Sequence, residues 1–130
     1  GTAGTGKSSI SAQFADAACK RGERVIYFSF EESPSQIVRN MQSVGIDFEK
    51  WMQQDLLHIV SARSTEYGLD MHLLTMQRAV ERWDPQVVVI DPITSLVNIA
   101  SPYDLKRMLM KLIDFVAPRE PSTLPATVKT

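Results

Sequence analysis

The stretch Gly1-Thr2-Ala3-Gly4-Thr5-Gly6-Lys7-Ser8 fits the pattern G-x-x-x-x-G-K-[ST], and nothing else in the chain constrains its fold as strongly. Gly1, Gly4 and Gly6 let a backbone close around a polyphosphate, because a Cβ would obstruct the approach. Successive N–H groups then form an anion nest, and the helix that follows directs its positive end at the phosphates. A loop of this kind joins a buried strand to a helix. It therefore predicts an α/β fold with a mostly parallel sheet. No strand precedes the loop in this sequence, so the domain reads as truncated at its start.

The candidate nucleotide-binding residues are Thr2, Gly4, Thr5, Gly6, Lys7, Ser8 and Ser9. Lys7 is placed to pair with the β- and γ-phosphates of ATP, and the Ser8 hydroxyl to coordinate Mg²⁺. A glycine-rich turn that merely precedes a helix is the plainer reading. It is disfavoured because partners for a nucleotide occur downstream.

The rest of the chain alternates helices and strands. The spacing predicts a helix over 7–21 with Ile10, Phe14, Ala17 and Ala18 on its apolar face and Gly22 after it. Residues 25–30 are β-branched or aromatic enough for a buried strand. Ser33-Pro34-Ser35-Gln36 is a capping box with proline at the first helical position. Ile37, Val38, Met41 and Val44 give that helix its stripe. Asp47 caps a short helix through Trp51, and residues 57–60 form a second strand. Leu69, Leu73, Met76, Val80 and Trp83 repeat at helical spacing up to Pro85. "QVVVID" is a continuous apolar strand, as in a sheet covered on both faces. Leu105, Met108, Leu109, Leu112, Ile113 and Val116 mark a last amphipathic helix. Strands alternating with helices indicate three layers, α-β-α. Residues 117–130, with several prolines and no period, read as an irregular or disordered, non-native ending after a domain spanning 1–116.

Asp91 closes the strand "VVVID", so its carboxylate would hold the Mg²⁺ shell at the carboxyl end of the sheet, where open α/β sheets bind ligands. A buried strand ending in Asp is common, and the pattern gains weight only in company with the loop. Glu31 and Glu32 end the preceding strand. A carboxylate there can orient or deprotonate attacking water. By position alone the pair could equally be solvated acids at a helix start. Thr94 and Ser95 could sense a γ-phosphate, though turn or cap roles are commoner. His58 and His72 lack metal-ligand spacing and suit surface or packing roles. Trp51 and Trp83 read as packing anchors, and Cys19 as a small buried apolar residue.

These residues together resemble a specific family. "GTAGTGKSS", "YFSFEESPSQIVRNMQSVGID", "GLDMHL" and "VVVIDPITSL" are similar to KaiC and the bacterial KaiC-like ATPases, in the RecA-like branch of phosphate-loop NTPases. The resemblance runs from residue 1 to about residue 115, and the loop variant looks most like the second of that family's tandem domains. It implies ATP bound between subunits of a hexameric ring, slow hydrolysis, and serine/threonine autokinase activity in the intact parent. It also implies protein partners in circadian timing or other signalling. Carried over residue by residue, Gly4, Thr5, Gly6, Lys7 and Ser8 would hold phosphate and Mg²⁺. Glu31 and Glu32 match the family's catalytic glutamate pair, and Asp91 its Walker B aspartate. Family domains continue with further strands after the Walker B strand, so the chain reads as truncated at its far end too.

Two other functions fit the same loop. One is a module that holds ATP to assemble a ring and barely turns it over. The other is a DNA recombinase or helicase ATPase, which would need basic or aromatic loops after the Walker B strand. "NIASPYD" lacks them, and a net charge of −1 over 130 residues gives no global basic field for nucleic acid. The one cysteine excludes an intrachain disulfide and a Cys-cluster metal site. No apolar run reaches membrane-spanning length, and a cytoplasmic location is expected.

Overall fold

The computed structural model describes residues 5–63, 68–91, 101–116 and 127–129, the backbone alone at 5–9, 116 and 127–129. Thr2, Gly4, Thr94 and Ser95 lie outside these residues. The elements run α1 (Thr5–Lys20), β1 (Val25–Ser29), α2 (Pro34–Ser43), α3 (Phe48–Gln53), β2 (Leu57–Ser61), α4 (Leu69–Trp83), β3 (Val87–Asp91), α5 (Pro102–Val116) and β4 (Thr127–Lys129). The four strands form one sheet in the order β2-β1-β3-β4, and every pairing is parallel.

Local chemistry sets the helix ends. The Ser33 hydroxyl accepts from the Gln36 N–H while the Gln36 side chain accepts from the Ser33 N–H, so the capping box forms with Pro34 inside it. Asp47 Oδ1 accepts from the Lys50 N–H at the start of α3. After α1 the chain turns into β1 within residues 21–24, with Gly22 at φ +80°, a conformation that glycine adopts without a Cβ penalty. So short a turn makes α1 run antiparallel to β1.

Side-chain alternation gives β1 and β3 two buried faces. On one, Val25, Tyr27, Val87 and Val89 pack with α1, α2 and α3. On the other, Ile26, Phe28, Val88 and Ile90 pack with Met76 and Val80 of α4 and Leu105, Met108 and Leu112 of α5. The result is an α-β-α three-layer arrangement.

Three sequence readings need correction. The face of α1 that enters the core is Ser11, Ala12, Ala15, Ala18 and Cys19, whereas Ile10 is 60% exposed and Ala17 is exposed. Small side chains let the helix backbone lie close to the sheet, so the largest apolar residue did not mark the buried side. Secondly, the irregular character read for 117–130 does not hold at 127–129. Thr127, Val128 and Lys129 pair with Val87, Val88 and Val89, which satisfies backbone groups on the outer edge of β3. Val44 and Ile113 also lie more exposed than their helical stripes implied.

Candidate functional site at the carboxyl ends of β1 and β3

Strand order reverses at β1. The chain goes from β1 to β2 on one side and then to β3 on the other. In open α/β sheets the crevice beyond the carboxyl ends at such a switch point is where ligands bind. Because α1 runs antiparallel to β1, its first turn, with the backbone of Thr5, Gly6, Lys7 and Ser8, belongs to this same end of the sheet. The N–H groups of a first turn have no intrahelical acceptors and carry a partial positive charge.

Asp91 is the last residue of β3, opposite Ser29 of β1 in the ladder. It is 7% exposed. Its Oδ2 accepts a 2.6 Å hydrogen bond from the Tyr27 hydroxyl. Among the described residues, Tyr27 is the one donor to the Asp91 carboxylate. Burial first, then the Asp91 charge and this bond, push the tyrosine pKa far up, so the proton stays on the phenol.

Ser29 shapes the turn that carries the glutamates. Its Oγ donates to the Glu32 carbonyl at 2.9 Å and accepts from the Glu32 N–H at 3.2 Å. Ser61 Oγ donates to the same carbonyl at 2.7 Å. Phe30 N–H bonds to the Asp91 carbonyl, and Ala62 N–H to the Ser29 carbonyl. The ends of three strands are thus stitched together around residues 29–32. The Glu32 carboxylate accepts from Asn40 Nδ2 of α2 at 2.6 Å, while Glu31 is exposed at the tip of the turn.

The structure therefore brings Glu31, Glu32, Asp91 and the backbone of the first turn of α1 to one end of the sheet. Sequence reasoning missed Tyr27, Ser29, Asn40 and Ser61. Tyr27 and Ser29 carried one available signal: a hydroxyl inside a buried strand must find a partner. The other candidate side chains have structural roles. His72 is buried edge-on to Phe30, with centroids 5.2 Å apart. His58 stacks on Trp83. Trp51 Nε1 donates to Asp16 Oδ1 of α1 at 2.7 Å. Cys19 is buried, and desolvation, followed by the charges of Asp16 and Glu23, holds its thiol pKa up at about 12. Grooves of about 420 and 450 Å³ lie between α4 and α5 and between β2 and α4. Both are on the opposite face from Tyr27; His58 and Trp83 line the second, and neither is lined by Glu31, Glu32 or Asp91. No helix among the described residues is long and apolar enough to cross a membrane.

The family model described as "ATPase: KaiC" matches residues 1–124. The chain belongs to the KaiC ATPase family. It is 40% identical over 116 residues to the circadian clock protein KaiC2 of Synechocystis, covering 89% of this chain and 20% of that protein. It is 32% identical over 120 residues to the circadian clock oscillator protein KaiC of Thermostichus vulcanus, covering 92% and 23% respectively. It is 38% identical over 98 residues to the oscillator protein KaiC of Synechococcus elongatus, covering 75% and 19%. The chain spans about a fifth to a quarter of the length of these KaiC relatives.

Proposed function

We propose that this chain supplies the nucleotide-binding face of a KaiC-like protein that binds Mg²⁺-ATP at the carboxyl ends of β1 and β3 and hydrolyses it slowly. The observation that carries this reading is the buried Asp91 carboxylate, at the same end of the sheet as the exposed Glu31 and where strand order reverses. The helix that follows the phosphate-loop motif starts at the same end.

In this reading the backbone of 4–6 and the first turn of α1 receive the phosphates, Lys7 pairs with the β- and γ-phosphates, and Thr2 and Ser9 complete the cradle. Ser8 and Asp91 would hold Mg²⁺. The donors suit that ion: both are hard oxygens, and with Oδ2 taken by Tyr27 the second carboxylate oxygen of Asp91 remains for it. Among the described residues no group of three or more His, Cys, Asp or Glu gathers into a metal cage. That matches an ion held largely by substrate phosphates. Bound Mg²⁺ supplies neutralisation of charge on the phosphates during transfer.

Glu31 is assigned the general-base role, accepting the proton of the attacking water. Glu32 holds the turn, because its carbonyl is clamped by two serines and its carboxylate by Asn40. In the whole protein the same base could serve an acceptor hydroxyl, which is the autokinase reading. ATP seated between neighbouring copies of a hexameric ring, and partners in circadian timing or signalling, belong to the same proposal.

The test is Mg²⁺-ATP binding and turnover by the whole protein that carries this chain. Glu31→Gln is expected to slow turnover by roughly 10²–10⁴-fold with binding kept, and Lys7→Ala to abolish binding. Wild-type turnover by Glu31→Gln would remove Glu31 as the base. Tight binding by the wild type without turnover would make the domain an ATP-held assembly module.

A further inference from the structure

Tyr27 lies in a strand whose neighbours Val25, Ile26 and Phe28 are wholly apolar. Its ring is 1% exposed and meets Phe48 of α3 edge-on, with centroids 5.9 Å apart. A phenylalanine would fill this space as well. The hydroxyl is the part that packing does not require, and a buried hydroxyl without a partner would destabilise the fold. It ends 2.6 Å from Asp91 Oδ2, across a separation of 64 residues in sequence. A short bond from a neutral donor to a carboxylate is charge-assisted and strong.

The bond's effect on Asp91 is geometric. A carboxylate at a strand end rotates freely about its last torsion, whose wells are broad and roughly two-fold. Fixing one oxygen against a rigid aromatic ring removes that freedom and leaves the other oxygen in a set direction. We propose that Tyr27 is a positioning residue whose hydroxyl holds the Asp91 carboxylate by Oδ2, so that its second oxygen is presented to the metal of bound Mg²⁺-ATP. This rests on the metal role proposed for Asp91. Partners one step removed from a metal orient its ligands, and their loss costs about tenfold or more in affinity.

The experiment titrates Mg²⁺ into complexes with a non-hydrolysable ATP analogue and follows analogue affinity by calorimetry. Wild type, Tyr27→Phe, Asp91→Asn and the double variant of the whole protein are compared. Tyr27→Phe is expected to raise the Mg²⁺ concentration for half-maximal tightening about tenfold, with metal-free affinity unchanged. In the Asp91→Asn background the same substitution is expected to add nothing. An unaltered Mg²⁺ dependence in Tyr27→Phe, with a shifted one in Asp91→Asn, overturns the positioning role alone. An unaltered dependence in Asp91→Asn overturns the metal role of Asp91 and this inference with it. Equal loss of metal-free and metal-dependent affinity in Tyr27→Phe assigns the hydroxyl a structural role only and also overturns it. Wild-type protein labelled with ¹³C at the tyrosine Cζ gives a check that needs no change at position 27. The Tyr27 resonance, assigned through the contact of its ring with Phe48, should move when Mg²⁺ joins the analogue complex, and a stationary resonance overturns the proposal.

Discussion

The two faces of the sheet share the same strands and differ in what they bury beside large apolar side chains. Under α1, α2 and α3 the buried set includes small residues and polar atoms, Ala12, Ala15, Ala18, Ser11, Ser29, Tyr27 and Asp91, beside large apolar side chains such as Ile37, Met41, Phe48 and Trp51. Under α4 and α5 it is large and apolar: Phe28, Ile90, Met76, Met108 and Leu112, with His72 the buried polar side chain there. A two-residue period sorts one strand's side chains into these environments. One face brings a helix close to the sheet and carries the candidate site, whereas the other, the bulk face, is almost wholly large and apolar.

Three substitutions sharpen this contrast. Leu112→Ala empties a fully buried site on the bulk face. It is expected to destabilise by about 2–5 kcal/mol, read from the urea midpoint, while Mg²⁺-ATP affinity of the folded protein stays at the wild-type value. A changed affinity would show that the bulk face also tunes the site. Ala15→Leu enlarges a side chain where α1 lies against the sheet. Overpacking predicts a loss of about 1–3 kcal/mol, and here nucleotide affinity should fall as well, because α1 begins at the turn proposed to bind phosphate. Stability lost with affinity intact would uncouple the seating of α1 from the site. Ile10→Ser, on the exposed side of α1, is expected to shift stability by no more than about 0.5 kcal/mol. A loss of several times that in thermal unfolding would return Ile10 to the core.

The bulk face was legible in the sequence. Large apolar residues at helical spacing in α4 and α5, and unbroken β-branched runs in β3, advertise burial directly. The capping signals of α2 and α3 were equally plain, since each is a local contact over a few residues. The chemical face was harder to read. The packing side of α1 is marked by the absence of bulk, and hydropathy favours Ile10 over Ala12 or Ala15. The bond between Tyr27 and Asp91 joins residues far apart in sequence, and only the β1–β3 register brings them together. β4 has three residues, too few for any period to emerge. The glutamate pair was read from motif, but the contacts that hold Glu32 come from Ser29, Ser61 and Asn40, which no spacing rule links to it.

The alternation along β1 has a consequence for how such a domain tolerates change in length. One residue inserted ahead of Tyr27, with the rest of the strand slipping by one place, would turn the tyrosine hydroxyl and Ser29 Oγ toward α4 and send Phe28 beneath α1. Asp91 would lose its donor, and the turn after β1 would lose its serine clasp. Residues facing α4 and α5 can be exchanged for others of similar volume, but the count of residues in β1 is fixed by the bonds that Tyr27 and Ser29 make at its end.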